Sequence, residues 1–177
     1  MAQVPALRLA DAAWQATPPD PLDNPALYGG VRSRRVFGYL FDLVLIGVLW
    51  AAAWMVAGLL GIVTFGLAWP LLVLIVSSFP LFYHTLTIAF GSATPGMWLF
   101  DVEVRSWTGK RPDFVQALIM TLIYMITVWP TGLLVLLVSL FDSRSRTLHD
   151  MVAAVVVVRR SALQRAGDMA LSAVATR

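Results

Sequence analysis

Three apolar stretches limit what this chain can fold into. Val36–Leu60 is 25 residues with one charge, Asp42; Leu67–Phe90 is 24 residues with none; Phe114–Phe141 is 28 residues with none. Each exceeds the ~18–20 apolar residues that mark a transmembrane helix. Of the 13 basic and 10 acidic residues, all but Asp42 lie outside these stretches. Charge makes up 13% of the chain, against roughly 25% in a soluble domain. These runs exclude a soluble globular fold. They also exclude a membrane β-barrel, which is built from ~10-residue alternating strands.

The remaining composition narrows the chemistry. The absence of cysteine removes disulfides, thiolate chemistry and Cys-ligated zinc. Two histidines, His84 and His149, are too few for a His-rich metal site, and neither a metal nor a cofactor is expected. The net charge of +3 comes from an arginine-rich set. In a membrane protein such an excess sets orientation and meets anionic headgroups, so the expected partner is the lipid bilayer and not nucleic acid.

Residues 1–31 read as a cytoplasmic N-terminal tail and not as a cleaved signal. Leu7–Trp14 suits a short amphipathic surface helix, and the proline-rich stretch from Ala16 to Pro25 suits a linker. Arg32, Arg34 and Arg35 form a basic collar before the first run and place this end inside. The first helix is expected over Val36–Leu60. The second is expected over Leu67–Phe90, with a kink at Pro80 whose freed backbone Ser77 and Ser78 can satisfy. Trp50, Trp54 and Trp69 fit an aromatic belt at the outer end of this pair.

Thr94-Pro95-Gly96 reads as a helix stop. Phe100, Val102 and Val104 then alternate with Asp101, Glu103 and Arg105, the pattern of a strand with one covered and one wet face. Ala154–Val158 is a second β-type run, too short to span. A lone strand leaves its backbone unpaired, so the two runs are expected to pair. Pairing needs both on one side of the membrane. The arginines after the third run ask for the same side. The third run is therefore expected to break as a helical hairpin about Trp129–Gly132. Residues 161–177 read as a weakly amphipathic or disordered tail. The expected fold is an all-α polytopic membrane protein: two full transmembrane helices, a third apolar segment broken as a hairpin, and a small cytoplasmic β-ribbon. The transmembrane domain runs over 32–160.

Two groups of residues carry the chemistry. Arg35 and Asp42 are two helical turns apart and share a face. A carboxylate in a membrane helix is expensive and turns to the bundle interior. Asp42 is then either an ion- or proton-binding group or a buried pin that fixes helix packing. Asp142, Arg144 and Arg146 lead into His149 and Asp150 in a turn whose charges alternate in sign. His149 beside Asp150 is either a proton relay near neutral pH or part of the anchor for the last strand. His84 reads as a satisfied interfacial histidine. No Ser, His and Asp spacing supports a hydrolase, and the chain is expected not to be an enzyme.

Three stretches together resemble the RDD family of small prokaryotic membrane proteins, named for one Arg and two Asp. They are Arg34-Arg35-Val-Phe-Gly-Tyr-Leu-Phe-Asp42, Thr94-Pro95-Gly96-Met97 through Val102-Glu103-Val104, and Asp142-Ser-Arg144-Ser-Arg146-Thr-Leu-His149-Asp150 with its Val run. The resemblance assigns the family's Arg to Arg35 and its two Asp to Asp42 and Asp150. It implies an inner-membrane protein with a role in transport, cation–proton exchange having been suggested for some members. On that reading Arg35, Asp42 and Asp150, with His149, form one polar cluster in the bundle, and a homo-oligomer helps line the path. The competing expectation is a non-enzymatic scaffold or accessory subunit of a larger membrane complex, for which Gly47, Ala51 and Gly58 would permit close helix packing.

Overall fold

The computed structural model describes residue 14, residues 17–131 and residues 146–175. The surface helix expected over Leu7–Trp14, the tip and second leg of the hairpin from Gly132 to Phe141, and Asp142 and Arg144 lie outside the described residues.

The chain folds in the order α1 (Pro25–Tyr28), α2 (Val31–Val63), α3 (Trp69–Gly91), α4 (Pro95–Leu99), β1 (Val102–Ser106), α5 (Phe114–Thr131), α6 (Leu148–Val152), β2 (Val155–Arg159) and α7 (Arg160–Ala175). Helices α2 and α3 are long and apolar enough to cross a membrane. The 33 residues of α2 extend ~50 Å at 1.5 Å per residue, well beyond a ~30 Å hydrocarbon core. Its first turns, which carry Arg32, Arg34 and Arg35, therefore have length to spare beyond that core.

The outward faces of the long helices are apolar, and several polar side chains are buried. Val44, Leu59, Ile62, Leu74 and Phe90 are exposed along α2 and α3, while Asp42, Thr85, Thr121, His149 and Asp150 are buried. An apolar outside around a polar inside is the arrangement a bilayer solvent favours.

A tight turn joins α2 to α3. Phe65 and Gly66 take positive φ, and Gly66 N–H donates to Gly61 O at 2.7 Å. The Trp69 ring lies so close to Gly61 that a Cβ there would sit 2.7 Å from it. Trp50, Trp54 and Trp69 form a row of ring contacts across this pair, with centroids 6.2 and 6.3 Å apart. Pro80 lies within α3. Its missing N–H frees the carbonyl four residues earlier, on Val76. The Trp50 indole of α2 donates to that carbonyl at 2.8 Å. Satisfaction thus comes from the neighbouring helix, whereas Ser78 donates to Ile75 O.

Thr94-Pro95-Gly96 begins a helix and does not merely end one. Helix α3 closes at Ser92, in the left-handed region, and Thr94 then caps α4 by accepting from Met97 N–H at 3.2 Å. Proline at the first helical position suits this start, because its missing donor is not needed there.

The expected β-ribbon is present. β1 and β2 pair antiparallel with Val102 opposite Arg159, Val104 opposite Val157 and Ser106 opposite Val155. It is covered on both faces, which corrects the half-wet strand expected from the alternation. On one face Val102, Val104, Val155 and Val157 pack with Val31, Ile88, Ala117 and Met120 of the helices. On the other, Val156 and Val158 pack with Trp14, Leu27, Tyr28, Ala162 and Leu163. Glu103 lies on that second face and is buried, and Arg105 neutralises it at 2.6 Å. The segments flanking the membrane region thus cover the ribbon. Residues 161–175 belong to a regular helix and not to a disordered tail.

Helix α5 continues through Trp129 and Pro130 to Thr131. Its 18 residues reach ~27 Å, slightly under a hydrocarbon core. By His149 the chain has returned to α5, where the His149 and Tyr124 rings meet.

Candidate functional site: two buried carboxylates joined by aromatic rings

Arg35 and Asp42 lie on one inward face of α2, as their spacing predicts, but the hydrogen bonds build two centres. Asp42 is 3% exposed and collects donors from two other elements. Tyr83 of α3 donates its hydroxyl to Oδ1 at 2.9 Å, and the Gly96 N–H of α4 donates to the same oxygen at 2.8 Å. The Thr94 hydroxyl donates to Oδ2. Thr94 therefore works in two directions, holding Asp42 while capping α4.

Gly38 and Gly96 make this geometry accessible. Gly38 lies one turn before Asp42, where the α4 backbone crosses α2. A Cβ on Gly96 would come within 2.2 Å of Gly38 O and 2.8 Å of the Asp42 carboxylate. No side chain larger than hydrogen fits without moving α4 away.

Asp150 is fully buried and centres the second network. Arg35 Nη1 donates to Asp150 Oδ2 at 2.5 Å, and Arg35 Nη2 donates to Thr147 Oγ1 at 3.3 Å. Thr147 is the N-cap of α6, and its backbone N–H donates to Asp150 Oδ2 at 2.9 Å, one half of a capping box. One acidic residue thus helps cap α6 and ties that helix to α2. Burial pushes the Asp150 carboxyl up, but Arg35 and the Thr147 N–H outweigh it and hold the group below the usual carboxylate range. Asp150 Oδ1 has no hydrogen-bond partner among the described residues. His149 Nε2 lies 3.6 Å from it. Burial lowers the His149 pKa to about 4, despite the opposing pull of Asp150, so the ring is neutral at pH 7.

A run of rings lies between the centres. Tyr83 and His84 are 5.3 Å apart, His84 and Tyr124 5.2 Å, and Tyr124 and His149 5.5 Å. Ring contacts thus run from Tyr83, which donates to Asp42, through His84 and Tyr124 to His149 beside Asp150, and so join α2, α3, α5 and α6. Among the described residues, no three His, Asp or Glu side chains converge to hold a metal ion.

Of the residues singled out by sequence, Arg35, His149 and Asp150 come together directly, and Asp42 sits at the far end of the ring series. Arg146 lies elsewhere, its guanidinium 5.0 Å above the Trp107 ring. His84 is a member of the series and not an isolated interfacial group. Sequence reasoning missed Tyr83, Thr94, Gly96, Tyr124 and Thr147. The available signal was polar residues able to donate, placed within apolar helices and at the Thr94-Pro95 helix start.

A third polar centre fastens the ribbon. Asp101, with φ 61°, accepts from Ser161 N and Ser161 Oγ at 2.7 Å each and pairs with Arg159 at 3.3 Å and Arg34 at 3.5 Å. Burial pushes its carboxyl up, but the Ser161 bonds and Arg159 hold it below the usual range.

Neither curated proteins nor solved structures include a match to the chain. The sequence model of the RDD family matches residues 30–154, a span that contains Arg35, Asp42 and Asp150, and the chain belongs to the RDD family.

Proposed function

We propose that this is a multi-pass inner-membrane protein, not an enzyme, that exchanges protons for a small cation at the Asp42 carboxylate. Both termini face the cytoplasm, and the third apolar segment returns without crossing fully. The observation that carries the reading is the series of proton-active groups from Asp42 to Asp150 inside an apolar bundle. A buried carboxylate in a membrane helix is an ion or proton site by default. Pairing of β1 with β2 supports the returning segment. Arg32, Arg34 and Arg35 at one end of α2, with Arg159 and Arg160 beside the same ribbon, support placing that end inside.

A second reading is favoured by a specific observation. Three donors meet Asp42 and Arg35 meets Asp150, which is also what a packing staple needs. In that case the protein is a non-enzymatic scaffold or accessory subunit, and the open faces at Gly47 and Gly58 would receive a partner helix. Purified protein in proteoliposomes loaded with a pH-sensitive dye separates the two. Cation-driven proton flux in the wild type, lost in a folded Asp42→Asn variant, supports exchange. No flux, together with co-purification of a stoichiometric membrane partner, supports the scaffold. An active periplasmic alkaline phosphatase fused at Arg177 would contradict the proposed topology.

A further inference from the structure

We infer that the lateral groove between α2, α3 and α4 binds an anionic phospholipid, with Arg160 receiving the headgroup. The groove is open on its outer side and has a volume of about 750 Å³. Its lining includes Phe41 and Leu45 of α2, Leu86 and Phe90 of α3, Trp98 of α4, and Arg160. Both the walls and the outward faces of α2 and α3 beside the groove are apolar. A water-soluble anion would meet hydrocarbon over most of this surface. An acyl chain would replace one apolar contact with another and bring its headgroup to the arginine.

Charge complementarity selects the headgroup. Arg34 and Arg159 are neutralised by Asp101. Arg160 is not: among the described residues no carboxylate reaches ion-pair distance of it, and its guanidinium lies 5.2 Å above the Trp98 ring. Trp98 is 61% exposed and Arg160 is partly exposed, so a headgroup can reach the cation. A cation held over an indole, in the lining of an apolar groove, matches a phosphodiester carrying net negative charge. The groove also lies against the Asp42 centre, because Thr94 lines it and donates to Asp42. The inference needs only the membrane setting, and it holds for an exchanger or a scaffold.

The test is native mass spectrometry of the full chain in mild detergent with equimolar phosphatidylglycerol and phosphatidylcholine. The wild type should retain one phosphatidylglycerol per chain in preference to phosphatidylcholine. Arg160→Gln should reduce that preference about fivefold, the ~1 kcal/mol an arginine contributes near an anionic membrane surface, and Arg160→Lys should keep most of it. Leu86→Trp, which fills the groove, should lower retention of both lipids. Millimolar inorganic phosphate should not displace the lipid. Equal retention of the two lipids by the wild type, unchanged preference in Arg160→Gln, or displacement by phosphate would overturn the assignment. If Arg160→Gln does not stay folded, Leu86→Trp decides, and undiminished lipid retention in it overturns the proposal.

Discussion

At the scale of single residues, burial and donor supply determine what each polar side chain can do. Asp42 and Asp150 share a residue type but not an environment. The first is met by hydroxyls and a backbone N–H, the second by a guanidinium. His149 shows the consequence most clearly. Its pKa lies near 4 in the folded protein, against 6.5 for the free side chain. The unfolded chain therefore takes up a proton first as pH falls. His149 leaves stability unaffected above about pH 6.5 and lowers it progressively between that value and about 4. The melting temperature in detergent should thus be less acid-sensitive over that window in His149→Asn than in the wild type, by the equivalent of roughly 1–3 kcal/mol. Parallel pH profiles of the two proteins would contradict this.

Gly96 gives a second test at this scale. Gly96→Ala places a Cβ against Gly38 O and the Asp42 carboxylate, and overpacking of this kind costs ~1–3 kcal/mol. Gly47→Ala meets nothing within 4 Å and should be neutral or slightly stabilising, as expected of alanine in a helix interior. Thermal unfolding of the two variants compares them directly. The seven-residue spacing of Arg35 and Asp42 was enough to read their shared inward face. Asp150 as a neighbour of Arg35 was expected, but the further partners Tyr83, Thr94 and Thr147 were not legible, because they reach Arg35 and Asp42 through tertiary contacts that no local pattern encodes.

At the scale of elements, the apolar runs located the two long helices within a few residues. The β-ribbon was also foreseeable, since two short β-type segments had only each other to pair with. That both faces of β1 would be covered was not foreseeable. The alternation of Val102 to Arg105 implies a solvent face, but α1, Trp14 and α7 cover it, and Glu103 is buried with Arg105 as its counter-ion. The proline in α3 was equally visible, while its compensation depended on how two helices pack. Trp50→Phe should cost ~1–3 kcal/mol by leaving Val76 O unpaired in an apolar setting. Pro80→Ala restores an intrahelical donor to that carbonyl. The cost of Trp50→Phe should therefore shrink in the Pro80→Ala background, a coupling that a double-mutant cycle reads out. Additive effects would show that the indole does not serve the proline site.

At the scale of the whole molecule, the two buried carboxylate centres lie within helices whose outward faces are apolar. The ribbon ties both ends of the 30–154 family span to one end of the helices, and Asp150 reaches Arg35 because β2 follows α6 directly. On the proposed exchange, the two carboxylates work together through the rings between them. Proton flux in proteoliposomes tests it when measured for His84→Phe beside the wild type. The substitution keeps an aromatic ring between Tyr83 and Tyr124 and removes the only imidazole between Asp42 and His149 in the series. Cation-driven flux is expected to fall at least about tenfold, equivalent to ~1.4 kcal/mol on the barrier, while the melting temperature changes little. Wild-type flux in a stably folded His84→Phe protein would contradict it.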